Sequence, residues 1–256
     1  MWLLAQGQTK GVVIKMKKYK AVLFDLDGTL LPMDQNSFMK SYFGELCRVV
    51  VPTGYISADK LVEAIWFGTK AMVKNDGSRL NVKTFWDSFA EYTGLDEEKC
   101  KEIEGMCDGF YTREFHRARA ACGENPLAIE AVRLAHIDGR RVVLASNPVF
   151  PAVGQESRLS WVGLAASDFD MITAYENQRY CKPNPKYYLD ICERIGVSPA
   201  ESIMIGNDER EDAWAATEAG LDCFLVTDCL IPSDSYTFDG MRGSFDDMIK
   251  KLEELR

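Results

Sequence analysis

Short apolar runs recur along the chain, and each one stops abruptly at polar residues. They occupy residues 21–24, 141–145, 202–205 and 222–226. Runs of this length predict strands that are buried on both faces, as in a parallel sheet. The residues that follow them are Asp25-Leu26-Asp27-Gly28-Thr29, Ser146-Asn147-Pro148, Gly206-Asn207-Asp208 and Thr227-Asp228. The pattern therefore predicts four strands whose carboxyl ends carry polar side chains.

The segments between and after these strands have the apolar spacing and the end signals of helices. Helices are predicted over residues 125–139, 184–196, 212–219 and 244–255. Asn-Pro pairs open the first two, and Ser244 with Asp247 gives the last one a Ser-x-x-Asp capping signal. Strands that alternate with helices predict an α/β fold with a doubly wound parallel sheet. Such a sheet binds ligands beyond the carboxyl ends of its strands, where the polar residues lie.

The alternation is interrupted between the first two strands. Amphipathic helices without an intervening strand are predicted over residues 37–51, 57–75, 81–92 and 96–118. We therefore predict an all-helical insert over 34–120 and an α/β core assembled from 16–33 and 121–256. Residues 1–15 precede a second methionine, Met16, and are interpreted as an N-terminal extension.

Composition narrows the class of protein. The chain has 256 residues, of which 46% are hydrophobic and 27% charged, enough apolar residues for a sizeable core. Its 39 acidic and 30 basic residues give a net charge of −9, which argues against nucleic acid or an anionic membrane as a partner. No apolar stretch approaches the roughly 20 residues of a membrane helix. Eight cysteines without a C-x-x-C pair and two histidines indicate reduced thiols rather than a zinc site, so we expect a cytoplasmic protein.

The two carboxylates after the first strand are the strongest chemical signal. Asp-Gly is a common turn dipeptide, so Asp25 and Asp27 could form an acidic turn. The stretch 24–30 holds no cation, however, and paired carboxylates are costly unless a metal ion or a shared proton neutralises them. A metal site is the better interpretation.

Four motifs in order now resemble those of one family. Asp25-Leu26-Asp27-Gly28-Thr29 looks like its first motif, Ser146 its second, Lys182 its third, and Gly206-Asn207-Asp208 with Asp212 its fourth. The family is the haloacid dehalogenase-like phosphatases, and the resemblance extends from residue 20 to about 230. Its main departure is Asn207, which stands between the glycine and the first acid of the fourth motif. The resemblance implies a Rossmann-like core with an inserted helical cap.

The resemblance also implies roles for individual residues. Asp25 would attack phosphorus and Asp27 would act as general acid and then general base. Phosphate would be bound by Thr29, Ser146, Asn147 and Lys182. Mg²⁺ would be held by Asp25, the backbone carbonyl of Asp27, Asp208 and Asp212.

These roles predict a Mg²⁺-dependent phosphatase that hydrolyses a small phosphorylated metabolite through an aspartyl-phosphate. Two alternatives remain open: a sugar phosphomutase that uses the same site, and a non-catalytic protein that binds a phosphate ligand. A dehalogenase is disfavoured because that branch lacks the second aspartate, which is Asp27 here. The sequence carries no signal for an oligomeric state.

The insert is expected to cover the site and to contribute to substrate choice. The segment 32–35 and the residues Asn147, Pro148 and Phe150 are candidates for contact with the leaving group. Five aromatic residues of the insert are interpreted as its hydrophobic core rather than as a recognition cage: Trp66, Phe67, Phe85, Trp86 and Phe89. His116 and His136 lie in helical patterns and are interpreted as surface or packing residues.

Overall fold

The computed structural model describes residues 19–255, so the predicted extension over 1–15 lies outside the described residues. Within that range the chain forms a six-stranded sheet with the strand order β3-β2-β1-β4-β5-β6, and every neighbouring pair is parallel. The strands are β1 (Ala21–Phe24), β2 (Arg141–Leu144), β3 (Met171–Ile172), β4 (Ser202–Gly206), β5 (Asp222–Val226) and β6 (Met241–Gly243). The predicted α/β fold with a doubly wound parallel sheet is confirmed.

Strand β1 lies at the centre of the sheet and is buried on both faces. Ala21 pairs with Arg141 of β2 on one side and with Ser202 of β4 on the other. Val22 and Phe24 belong to one hydrophobic cluster, whereas Ala21 and Leu23 belong to another on the opposite face. A strand between two apolar layers needs apolar side chains at every position, which explains its uninterrupted apolar run.

Helices cover both faces of the sheet. The core helices are α5 (Ala128–Ala135), α6 (Ala152–Trp161), α7 (Pro185–Ile195), α8 (Ala215–Glu218) and α9 (Phe245–Glu254). Helices α5, α6 and α9 contribute to the cluster that contains Phe24, and α7 and α8 to the cluster that contains Leu23. No helix in the described part of the chain is both long and apolar enough to cross a membrane.

The segment between β1 and β2 is helical. It contains α1 (Gln35–Val50), α2 (Ala58–Val73), α3 (Asn81–Thr93) and α4 (Glu97–Tyr111), followed by a 3₁₀ helix over Glu114–Ala121. Asp34, Ser57 and Asp96 cap the first, second and fourth of these helices by accepting a backbone N–H three residues on. The division into an insert over 34–120 and a core stays a prediction.

Several predicted elements differ from the structure. The helix predicted over 96–118 ends at Tyr111, because Arg113 leaves helical geometry at φ −129° and ψ −84°. The helix predicted over 212–219 begins earlier, as a π-helix over Glu209–Trp214. The helix predicted from Asn125 begins at Ala128, although the Asn125 side chain does accept the N–H of Leu127. Strands β3 and β6 and helix α6 were not predicted.

Candidate active site

The carboxyl ends of β1, β2 and β4 bring the predicted site residues to one edge of the sheet. Asp25 follows β1 directly, and its backbone N–H donates to the carbonyl of Ile205 in β4. The chain then turns sharply at Gly28, which has φ +90°. A Cβ atom on Gly28 would lie 2.3 Å from the Asn207 amide nitrogen, so only glycine fits between the β1 and β4 loops.

Lys182 links two of the predicted carboxylates. Its Nζ lies 2.8 Å from Asp25 Oδ1 and 2.6 Å from Asp212 Oδ1, and its side chain is 1% exposed. These two ion pairs hold the pKa of Lys182 well above its usual range, although burial of the ammonium opposes the shift. The lysine is therefore a fixed positive charge behind Asp25.

The loop after β4 is organised by its own two aspartates. Asp212 Oδ2 accepts the backbone N–H groups of Asn207 and Asp208, at 3.0 Å each. Asp208 Oδ1 caps the π-helix by accepting the N–H groups of Arg210 and Glu211, at 2.7 Å each. Both carboxylates are thus held in place by backbone donors, and Asp208 keeps its second oxygen outside these bonds.

Asp27 is held by an arginine that the sequence did not single out. Arg158 of α6 is fully buried, and its Nη1 donates to Asp27 Oδ2. Its Nη2 donates to Gln155 Oε1 at 2.6 Å, and its guanidinium lies 4.1 Å from the centroid of the Phe150 ring. The other Asp27 oxygen, Oδ1, is buried and has no hydrogen-bond partner among the described residues. Arg158 belongs to no motif, and only its position on an otherwise buried face of α6 could have drawn attention to it.

Only some of the predicted phosphate-binding residues line the cavity beside Asp25. Ser146 and Asn147 line the cavity beside Asp25. Asn147 donates to Glu211 Oε2 at 2.9 Å, while its own Oδ1 is buried without a partner among the described residues. Thr29 does not line that cavity, because its hydroxyl donates to Asn207 Oδ1 at 3.0 Å. The one hydroxyl hydrogen of Thr29 is thus used within the protein, and its binding of phosphate stays a prediction.

Negative charge exceeds positive charge in this region. Five carboxylates line the cavity, on Asp25, Asp27, Asp208, Glu211 and Asp212, and the two buried cations that pair with them are those of Lys182 and Arg158. Burial raises the pKa of Asp25, and the charges of Asp212 and Asp27 add to this shift while Lys182 opposes it. Burial also raises the pKa of Glu211, to about 7. Raised carboxyl pKa values of this kind are expected where buried carboxylates outnumber the cations that could neutralise them.

The donor chemistry of the cluster fits a hard divalent cation such as Mg²⁺. Every side-chain donor is a carboxylate or amide oxygen, and the excess negative charge calls for a cation. Among residues 19–255, however, no three His, Cys, Asp or Glu side chains converge on one metal-binding point. In this structure Lys182 lies between Asp25 and Asp212, and one oxygen of Asp208 accepts backbone amides.

The acidic edge opens into a cavity of about 330 Å³ that continues between helices α1 to α4. Trp66, Phe85, Trp86 and Phe89 line it, and Phe89 is also core. The interpretation of the five aromatic residues as hydrophobic core is wrong for Trp66 and Phe67, whose side chains are 51% and 40% exposed. Of the candidates for leaving-group contact, Gln35, Asn147 and Phe150 line the cavity.

The two histidines and the cysteines lie outside the acidic cluster. His116 and His136 are exposed, in line with their interpretation as surface or packing residues. His116 Nδ1 accepts the indole N–H of Trp161, and His136 Nε2 lies 2.9 Å from the carbonyl oxygen of Asp168. All eight cysteines are free thiols in this structure. None of these groups competes with the acidic cluster as a candidate site.

Comparison with known sequences gives relatives of similar length. YhcW, a candidate phosphatase of Bacillus subtilis (strain 168), is 34% identical over 213 residues, which cover 81% of this chain and 83% of YhcW. A phosphoglycolate phosphatase of Vibrio vulnificus (strain YJ016) is 24% identical over 217 residues, 82% of this chain and 85% of that protein. Pyrophosphatase PpaX of Bacillus velezensis is 24% identical over 204 residues, 80% of this chain and 81% of that protein.

Comparison with solved structures supports the same fold. A 2-haloacid dehalogenase from Pseudomonas syringae pv. Tomato DC3000 superposes with a TM-score of 0.62 at 17% identity, over 93% of this chain and 100% of that one. A haloacid dehalogenase-like phosphatase from Thermococcus onnurineus has a TM-score of 0.54 at 21% identity, over 91% of this chain and 97% of that one. The sequence profile of the haloacid dehalogenase-like hydrolases matches residues 19–220. The chain therefore belongs to the haloacid dehalogenase-like hydrolases.

Proposed function

We propose that this protein is a Mg²⁺-dependent phosphatase that hydrolyses small phosphomonoesters through an aspartyl-phosphate on Asp25. The observation that carries the proposal is the pair of ion pairs from Lys182 to Asp25 and Asp212, beside a second aspartate, Asp27. This arrangement opens onto a cavity large enough for a small molecule. Relatives named as phosphatases are consistent with it.

Asp25 and Asp27 divide the chemistry between them. An oxygen of Asp25 attacks phosphorus, the new P–O bond forms, and the bond from phosphorus to the ester oxygen breaks. Asp27 donates a proton to the departing oxygen, so that an alcohol leaves. A water molecule then attacks the aspartyl-phosphate, Asp27 takes a proton from that water, and inorganic phosphate is released while Asp25 is regenerated.

The neighbouring groups reduce the repulsion between a carboxylate and a phosphate dianion. Lys182 lies against Asp25 and offsets its charge. Ser146 and Asn147 line the same part of the cavity and supply a hydroxyl and an amide for phosphoryl oxygens. Mg²⁺ would be held by Asp25, Asp208 and the carbonyl of Asp27, with support from Asp212, and it would neutralise the charge that develops on the transferred group.

Residues 34–120 act as a cap in this proposal. They contribute most of the apolar wall of the cavity, and thereby keep bulk water from the phosphorylated Asp25. A sugar phosphomutase and a non-catalytic binding protein would use the same residues, but would not release inorganic phosphate.

Phosphate release and covalent labelling together test the proposal. The purified chain is mixed with 4-nitrophenyl phosphate, with Mg²⁺ or after chelation, and the acid-quenched protein is analysed by mass spectrometry. We expect Mg²⁺-dependent release of phosphate and a phosphoryl adduct on the peptide that contains Asp25. Asp25→Asn should abolish both, whereas Asp246→Asn on the exposed side of α9 should change neither. Full activity after exhaustive chelation, or in Asp25→Asn, would contradict the proposal.

A further inference from the structure

The wall of the cavity beyond the catalytic carboxylates is almost entirely apolar. Helices α1 to α4 contribute aliphatic and aromatic side chains to it, and the strand-end loops close the acidic end. The residues that form the apolar wall include Met39, Phe43, Leu61, Ile65, Trp86 and Phe89. Whatever part of a substrate extends past the phosphate therefore lies against hydrocarbon.

No basic side chain accompanies this wall. Among residues 19–255, the lining contains no Lys, Arg or His. The two buried cations nearby are already paired, Lys182 with Asp25 and Asp212, and Arg158 with Asp27. A second anionic group on a substrate would thus lose its hydration without gaining a counter-ion, and would face the carboxylates at the acidic end.

The polar groups in the wall are neutral and largely satisfied. The hydroxyls of Tyr42 and Tyr111 hydrogen-bond to each other at 3.0 Å. Burial raises the pKa of both tyrosines, so neither supplies a charge near neutral pH. The helices also add the side chains of Thr69 and Gln35, the Cys107 thiol, and the indole N–H of Trp86, which is buried without a partner among the described residues. The cavity therefore offers a substrate apolar contact and few hydrogen bonds.

We infer that the substrate is a monophosphate ester of an uncharged, hydrophobic alcohol, aromatic or aliphatic, whose phosphate is its only anionic group. This inference rests on the proposed phosphatase function and names its substrate class. It separates the chain from enzymes that act on compounds with a second anionic group, such as phosphoglycolate or pyrophosphate. Burial of the leaving group against the wall supplies the binding energy that a charged substrate would draw from ion pairs.

A series of straight-chain alkyl monophosphates, from ethyl to hexyl, isolates this effect, because the leaving-group pKa hardly changes along the series. With Mg²⁺ present, kcat/KM should rise by roughly fourfold per added methylene until the cavity is filled. Phosphoglycolate and pyrophosphate should be poorer substrates than ethyl phosphate. A flat series, or a preference for phosphoglycolate, would overturn the inference and leave the phosphatase function standing. Release of phosphate from none of these compounds would overturn both.

Two neighbouring residues of α2 provide a matched pair of variants. Trp66 lines the cavity at its mouth, whereas Phe67 is similarly exposed but packs against Tyr92 away from it. Trp66→Ala should lower kcat/KM for hexyl phosphate by roughly 2- to 10-fold more than for ethyl phosphate, whereas Phe67→Ala should change neither value. Equal effects of the two variants would count against the inference.

A third variant adds a positive charge to the apolar wall. Thr69 lines the cavity and is only partly buried, so a longer side chain fits there. Thr69→Lys should raise kcat/KM for phosphoglycolate and lower it for hexyl phosphate. If the lysine leaves the ratio of the two unchanged, the missing cation is not what excludes anionic substrates, and the inference fails.

Discussion

Arg158 holds Asp27 by a charged hydrogen bond from a fully buried position. Burial raises the pKa of Asp27, and the guanidinium opposes that shift by favouring the carboxylate. The stack on Phe150 and the bond to Gln155 fix the guanidinium plane. Arg158 is therefore a positioning residue for the proposed general acid rather than a group that touches the substrate.

Arg158→Lys should keep the charge and lose the planar geometry. We expect kcat/KM for hexyl phosphate to fall by roughly 10- to 10²-fold, part of the 10²- to 10⁴-fold that general acid catalysis supplies. The loss for 4-nitrophenyl phosphate should be much smaller, because nitrophenolate leaves without a proton. Steady-state kinetics on the two esters provides the measurement. The exposed Arg133→Lys serves as control, and equal losses on both esters would reduce Arg158 to a structural role.

The two aspartates of the proposed chemistry and Lys182 were predictable because short motifs at strand ends carry them, whereas Arg158 and the hydrogen bond from Thr29 to Asn207 were not. An arginine within a helix is usually solvated, and nothing local in the sequence of α6 distinguishes Arg158 from such a residue. The hydrogen bond of Thr29 depends on Asn207, which is distant in sequence and reaches it only after the sheet has formed. Contacts of this kind follow from tertiary structure alone.

At the scale of elements, the edge strand β3 is tied to β2 through Asp170. Its carboxylate accepts the backbone N–H of Val142 at 2.8 Å and the guanidinium of Arg141 at 2.7 Å. Burial acts to raise the pKa of Asp170, but these two hydrogen bonds outweigh it and hold the pKa below its usual range. Strand β3 has only two residues and so makes few backbone hydrogen bonds to β2. The Asp170 side chain adds further hydrogen bonds between this edge strand and β2.

Asp170→Asn should lower the free energy of unfolding at neutral pH by about 1 kcal/mol, since an amide keeps only part of these bonds. The folded-state pKa of Asp170 lies below the unfolded value of about 3.9, so its contribution is complete above that pH and is lost as pH falls through the folded value. The difference between wild type and variant should therefore shrink below about pH 4. Urea unfolding at a series of pH values measures it, with Asp246→Asn as control. A difference that does not change with pH would exclude the ionised carboxylate as its source.

Element prediction succeeded where a segment is long or fully buried and failed where it is short. Strands β1 and β5 match their apolar runs residue by residue, and Asn184 and Gly196 bracket α7 as their capping chemistry requires. Strand β6 was missed because Met241-Arg242-Gly243 has neither an apolar run nor alternation. It forms because its backbone pairs in parallel with β5, and no local sequence pattern encodes that pairing.

At the scale of the whole molecule, the helical segment between β1 and β2 restricts what can reach the carboxylates. The cavity holds about 330 Å³ and is walled by that segment on one side and by the strand-end loops on the other. A phosphorylated side chain on a folded protein would have to enter this cavity to reach Asp25. The architecture therefore favours free small molecules over macromolecules.

Small phosphate esters should be hydrolysed, whereas a folded protein that carries phosphoserine should not. The release of inorganic phosphate from both substrates tests this prediction. It is measured with Mg²⁺ and at equal concentrations of esterified phosphate. A short phosphopeptide from the same protein separates size from local sequence. Efficient dephosphorylation of the folded phosphoprotein would contradict the assignment of the helical segment as a cap.

The central position of β1 in the sheet also sets the order in which parts of the protein can fold during translation. Its partners β2 and β4 follow the whole helical segment in sequence, so at roughly 5–20 residues per second β1 waits on the order of 10 s for them. Helices α2 and α3 are joined by a short loop, and their mutual contacts form from local chain alone. We expect the helical segment to fold first on the ribosome, and Asp25 to meet Asp212 only after β4 has emerged. The candidate active site is thus completed late, by residues that the ribosome adds after most of the protein already exists.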